Sequence, residues 1–204
     1  MRLMKLSYLI VIGLSACALA LNAEEAAKGK GDAGAKKKGP ATPPMTLTST
    51  AFEDGAIIAD KYTQAGAQIS PALTWTNAPT GTRSFFLHMH DLEVSRNKTT
   101  DDQVHWIVWN IPANSKGLPE GVKEGFQLQD GSFQMSASGM SYRGPGAGAN
   151  GPRHHYTFEI YALDIPLSVE LGADAFETRT HLMKAIQGHV LGKAVYMGLF
   201  RRPQ

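Results

Sequence analysis

Residues 143–164 read RGPGAGANGPRHHYTFEIYALD, a glycine-rich loop that passes through two adjacent histidines into an alternating apolar segment. Gly144, Gly146, Gly148 and Gly151, with Pro145 and Pro152, exclude a regular element before His154. Beyond it, Tyr156, Phe158, Ile160 and Ala162 recur with a period of two, while His155, Thr157 and Glu159 fall between them. That period belongs to a strand with one buried face, so the stretch predicts β structure with histidines at its entrance.

The same pattern recurs along the chain. MTLTSTAF alternates at its start, PALTWTNAP opens after Ser70, and Pro79-Thr80-Gly81-Thr82 is a turn before SFFLHMHD. VHWIVWNIP then stops at Pro112, and KAVYMGLF closes the chain. A helix is predicted over Ala175 to Val190, where Phe176, Leu182, Met183, Ile186 and Val190 are spaced for one face and Gly188 weakens the end. Short strands at close intervals with one late helix predict a mainly β domain, an antiparallel β-sandwich with a few short helices, over residues 45–204.

The first 44 residues belong to a different class. Arg2 and Lys5 precede an uncharged apolar run, so residues 1–23 read as an export signal. Leu14-Ser15-Ala16-Cys17 has the form of a lipobox, in which Cys17 would be lipidated and tether the protein to a membrane. The competing reading is ordinary cleavage after Ala18-Leu19-Ala20 or before Glu24. Residues 24–44, rich in Ala, Gly, Lys and Pro, predict a disordered tether. The chain is thus expected to be exported, as a periplasmic protein or a membrane-anchored lipoprotein.

Cys17 is the only cysteine, which excludes an intrachain disulfide and a thiolate metal site. From Met45 onward the chain carries 13 basic against 15 acidic residues, a balance that does not favour nucleic acid as a partner.

Strand alternation aims polar residues at one place. Phe85, Leu87 and Met89 share a row that ends in Asp91, and the Tyr156 row runs back to His154. His105 stands in line with Ile107, Trp109 and Ile111, whereas His155 belongs to the solvent face. An ionisable group at the end of a core-facing row is costly unless partnered, so Asp91, His105, His154 and Tyr156 are expected to converge at one rim.

In order and spacing, ISPALTWTNAPTGTRSFFLHMHDLE, VHWIVWNIP, YRGPGAGANGPRHHYTFEIYALD and GHVLGKAVYMGLF resemble the phosphatidylethanolamine-binding protein family, in its bacterial Raf kinase inhibitor-like branch. The resemblance implies a β-sandwich with a small pocket for phosphate or a phospholipid head group. It places the family's Asp-Pro-Asp-Ala signature on Asp91-Leu92-Glu93-Val94 and its His-Trp pair on His105-Trp106. Its Gly-Pro loop falls on Gly144-Pro145, and its His-x-Tyr on His154-His155-Tyr156. It also implies homodimers and no cofactor, with modulation of a protein partner as a further role. Leu92 and Glu93 depart from the signature and put that turn in doubt. Gly146-Ala147-Gly148 replace a cysteine and paired prolines, which predicts a looser loop.

Two other function classes compete. Asp91 with two histidines and Tyr156 would serve acid–base hydrolysis, but no nucleophile motif accompanies them, so the chain is expected not to be an enzyme. His88 and His90, two apart on a strand, suit copper or zinc, with His105 as a further candidate ligand; the preferred reading is two surface histidines and no metal. The glycines of residues 144–151 lack the Lys-Ser/Thr and the following helix of a nucleotide loop. Trp75, Trp106 and Trp109 read as core aromatics rather than a stacking platform.

Overall fold

The computed structural model describes residues 43–204; the signal, the lipobox at Cys17 and the tether up to residue 42 lie outside the described residues. Among the described residues, Met45 is the first buried side chain. The described residues hold eight strands: β1 (Thr46–Ser49), β2 (Leu73–Thr76), β3 (Ser84–Asp91), β4 (Gln103–Pro112), β5 (Gly117–Leu118), β6 (Phe133–Met135), β7 (His154–Leu163) and β8 (Val190–Phe200). They form a three-stranded sheet in the order β1-β2-β5 and a five-stranded sheet in the order β6-β4-β3-β7-β8, with every strand pairing antiparallel. The mainly β sandwich predicted from alternation is therefore the fold.

Between the sheets, Leu47, Leu73 and Trp75 of the small sheet meet Phe85, Leu87, Met89, Phe158 and Ile160 of the large one. A second core covers the opposite face of the large sheet, where Phe86, Ile107, Trp109 and Tyr161 pack with Ala175, Leu182 and Ile186. This second core overturns one expectation. Every residue of β3 is buried, so His88 and His90 are not surface residues but are only 4% and 8% exposed. Thr157, assigned to a solvent face by alternation, is buried there too.

The helix of the second core, α1 (Ala175–Ala185), is shorter than its apolar spacing predicts. Asp174 caps its start by accepting hydrogen bonds from the Phe176 and Glu177 N–H groups. It ends at Ile186, and Gly188 turns the chain with φ of +82°, a left-handed conformation that suits glycine. Val190 consequently begins β8 and is exposed rather than part of the helical face.

Two irregularities in β4 matter for the site. Phe85 and Leu87 pair with Ile111 and Val108, and Met89 and His90 with Trp106 and Val104, so an extra β4 residue is inserted at each step. The first bulge includes Asn110, with φ of +56°; the second is His105 itself.

Candidate functional site

The ends of β3, β4 and β7 and the loop before β7 meet at one rim of the inter-sheet core. Asp91, the last residue of β3, pairs with Tyr156 across the sheet and is 2% exposed. Its carboxylate accepts from His154 Nδ1 at 2.9 Å and 3.1 Å, and from the Glu93 backbone N–H at 3.1 Å. This last bond closes the turn at Leu92 and Glu93 without the family's proline, which removes the doubt about its geometry.

His105 reaches the rim by a route that alternation does not describe. Ile107 and Trp109 belong to the core beneath α1, whereas Ile111 belongs to the inter-sheet core, so the row drawn through all four residues does not exist. The bulge at His105 returns its ring to the Asp91 side, where it stands edge-on to Tyr156 with centroids 5.0 Å apart. Its Nδ1–H donates to the Arg143 carbonyl at 3.0 Å. Burial lowers its pKa to about 4, although that bond and the nearby Asp91 act in the opposite direction. His105 is therefore neutral at pH 7 and offers Nε2 as an acceptor, not a positive charge.

The loop is pinned rather than loose. Gln64 donates from its amide to the Gly144 carbonyl at 2.8 Å and from its backbone to the Pro145 carbonyl at 2.9 Å. The Gly144 N–H turns to Gln68 Oε1 at 3.3 Å, and the Arg202 N–H to the Ala147 carbonyl at 2.9 Å. A Cβ on Gly144 would lie 2.6 Å from the Tyr62 carbonyl oxygen, so this close backbone approach requires glycine. Beyond the buried Pro145, the Gly146 and Ala147 N–H groups both donate to Tyr156 Oη, at 3.2 Å and 3.0 Å. Burial, then the neighbouring Asp91 carboxylate, hold the Tyr156 phenol well above its ordinary range, so it keeps its proton.

Two other predicted residues stand behind the rim and at its outer edge. Trp106 is wholly buried in the inter-sheet core; its indole N–H donates to Gln134 Oε1 at 2.9 Å, and it packs edge-on to Tyr142. It supports the rim from behind. Glu93 sits at the outer edge, where it accepts from the His155 backbone N–H at 2.7 Å and pairs with the His155 ring. Burial works to raise the Glu93 pKa, but the bonds from His155 leave it below the ordinary carboxylate range. His155, set apart by alternation, is thus a rim residue. Gln64, Gln68 and Arg143 were not legible as site residues, since a glutamine amide or a backbone carbonyl that supports a distant loop has no local pattern.

A family model described as phosphatidylethanolamine-binding protein matches residues 48–201. The chain belongs to the phosphatidylethanolamine-binding protein family. A UPF0098 protein of Methanothermobacter thermautotrophicus is 39% identical over 160 residues, which cover 78% of this chain and 99% of that protein. The crystal structure of a phosphatidylethanolamine-binding protein homologue from Chlamydia trachomatis is similar at a TM-score of 0.65 and 31% identity, covering 78% of this chain and 98% of its own. A Mycobacterium tuberculosis protein named as a candidate lipoprotein, LppC, is 31% identical over 151 residues, 73% of this chain and 70% of that one.

Proposed function

We propose that this phosphatidylethanolamine-binding protein family member binds a small oxyanion, free phosphate or a phosphorylated head group, at the rim of Asp91, His105, His154, Tyr156 and the loop at residues 144–147. The observation that carries this reading is the convergence of two successive backbone N–H groups, those of Gly146 and Ala147, on the Tyr156 hydroxyl oxygen beside the Asp91–His154 pair. The Tyr156 oxygen stands where an anionic oxygen would be held by these N–H groups, and His154, whose Nδ1–H goes to Asp91, adds a donor at Nε2 when its ring is protonated. Asp91 and neutral His105 are acceptors, so the ligand must bring a donor of its own. A protonated phosphate or the ammonium of phosphorylethanolamine meets that condition; a ligand with acceptors alone does not.

Binding is expected to be weak, with Kd of roughly 0.1–10 mM, because a few charge-assisted hydrogen bonds supply only about 1.5–3 kcal/mol each before ordering costs. In calorimetric titrations with inorganic phosphate, phosphorylethanolamine and phosphatidylethanolamine vesicles, His154→Ala should weaken binding at least about tenfold. His155→Ala, which removes only the brace on Glu93, should change it by less than about fivefold. Equal losses in both variants would move the site outward to Glu93. Turnover of a phosphoester that disappears in Asp91→Asn would replace binding with acid–base hydrolysis.

The binding domain is further proposed to be exported and held at a membrane through Cys17, a reading supported by the Leu14-Ser15-Ala16-Cys17 sequence and the name of the mycobacterial relative. Cys17→Ser is expected to move the protein from the membrane to the soluble fraction and abolish labelling by a fatty-acid analogue. An unlabelled wild-type protein would leave ordinary signal cleavage. Homodimer formation and modulation of a protein partner remain expectations of the family resemblance.

A further inference from the structure

On the face of the large sheet opposite the anion rim, His88 and His90 stack with ring centroids 4.2 Å apart. Both are more than nine-tenths buried, yet among the described residues His88 Nδ1, His88 Nε2 and His90 Nε2 have no hydrogen-bond partner. Buried polar atoms without partners are rare, and three on adjacent rings point to a missing ligand. A neutral imidazole in that position has a nitrogen lone pair to offer.

Two of these atoms face one carboxylate. Glu159 Oε2 lies 3.9 Å from His88 Nδ1 and 3.8 Å from His90 Nε2. These separations are too long for hydrogen bonds. They are close to the spacing of about 3.4 Å between donors that share one ion at bond lengths of about 2.0–2.1 Å. Glu159 is held in place by the Tyr161 hydroxyl, which donates to Oε2 at 2.6 Å, and by Lys193, which donates to Oε1 at 2.5 Å.

A supporting carboxylate is already in place. Asp102 pairs with His90 Nδ1 through one oxygen and with Arg179 through the other, and the ligand atoms of His88, His90 and Asp102 lie within 4.8 Å of one another. A carboxylate on Nδ1–H fixes the tautomer that leaves Nε2 free for an ion. The cluster opens on a cleft of about 460 Å³ beside α1, edged by Thr100, Asp101, Met183 and Lys184, which provides an entry path and room for a water ligand. Arg179, Lys184 and Lys193 oppose Asp101, Asp102 and Glu159, so net charge does not select a cation; the neutral imidazole nitrogens do.

We propose that His88 Nδ1, His90 Nε2 and Glu159 Oε2 bind one divalent transition-metal ion of the zinc class, with Asp102 and Arg179 positioning His90. Two imidazoles and a carboxylate, with no thiolate, suit Zn²⁺ and exclude a preference for soft Cu⁺.

The test is titration of the chelator-treated protein with ZnCl₂ by calorimetry and with CoCl₂ by visible absorption. One ion per chain is expected, with Kd on the order of micromolar or tighter and the Co²⁺ spectrum of a low-coordinate site. His90→Gln and Glu159→Gln should each weaken Zn²⁺ binding at least about tenfold, and Asp102→Asn about 10–100-fold. His154→Ala should leave it unchanged. Zn²⁺ should also raise the melting temperature of the wild type but not of Glu159→Gln, a readout that holds should a histidine variant fold poorly. No binding by the wild type, or binding that survives both His90→Gln and Glu159→Gln, would overturn the proposal. Loss of binding only in His154→Ala would also overturn it, because the ion would then belong to the Asp91–Glu93–His154 group.

Discussion

Trp106→Ala is expected to destabilise the fold by about 3–5 kcal/mol, the cost of emptying a large, wholly buried aromatic site. Trp106 has no exposed surface, and its indole N–H is the donor to Gln134 Oε1. Gln134, itself wholly buried, donates from its amide to the Lys123 carbonyl at 2.7 Å and the Gly125 carbonyl at 2.9 Å. Truncation would therefore open a cavity and also leave an acceptor unpaired in a junction that holds the chain around Lys123 to Gly125. Trp106→Phe keeps most of the volume and loses only the donor, so about 1–3 kcal/mol is expected. Urea denaturation checks both values. Phosphate affinity of folded Trp106→Phe should stay within about threefold of wild type, a change of well under 1.4 kcal/mol. A tenfold loss in that folded variant would return Trp106 to the ligand site.

Acidification from pH 7 to pH 5 is expected to remove roughly 2 kcal/mol of stability through His105. Burial first, against the opposing influence of the Arg143 carbonyl and Asp91, lowers its folded-state pKa from 6.5 to about 4. As pH falls, the unfolded chain therefore takes up the proton before the folded one. The stabilising contribution is complete above about pH 6.5 and is lost progressively as pH falls through about 4. His88, lowered to about 4 mainly by burial, should add a similar loss in the metal-free protein. His105→Gln keeps a donor for the Arg143 carbonyl but does not titrate. Denaturant midpoints at the two pH values should show a loss about 2 kcal/mol smaller in that variant than in the wild type. Equal losses would mean that the ring is solvated in the folded state.

Both effects come from residues adjacent in sequence, His105 and Trp106, which share one side of the sheet because of a bulge. Alternation predicts opposite faces for neighbours. Here the inserted residue brings His105 to the Asp91 rim, while Trp106, paired with Met89, fills the core behind it. The convergence of His105 with Asp91 was thus anticipated, but through a row that the register breaks.

Much was legible from sequence because strand alternation is local. The rows of Asp91 on β3 and of His154 and Tyr156 on β7 need only the pleat and one apolar face, and the observed pairing of Asp91 with Tyr156 brings their ends together. The sandwich class likewise came from strand-like segments separated by Gly and Pro.

What the sequence by itself determined was which side of the regular strands β3 and β7 each residue takes, and which segments had to find a partner sheet. Only the tertiary structure decided what covers each side. Helix α1, some ninety residues after His88 and His90, converts their apparent solvent face into a second core and leaves their ring nitrogens opposite Glu159. Gln64, eighty residues before Gly144, pins a loop whose glycines alone suggest freedom. Burial and hydrogen-bond partnership depend on chain segments distant in sequence, whereas side-chain direction depends on neighbours, so the pattern of rows could be read and their environments could not.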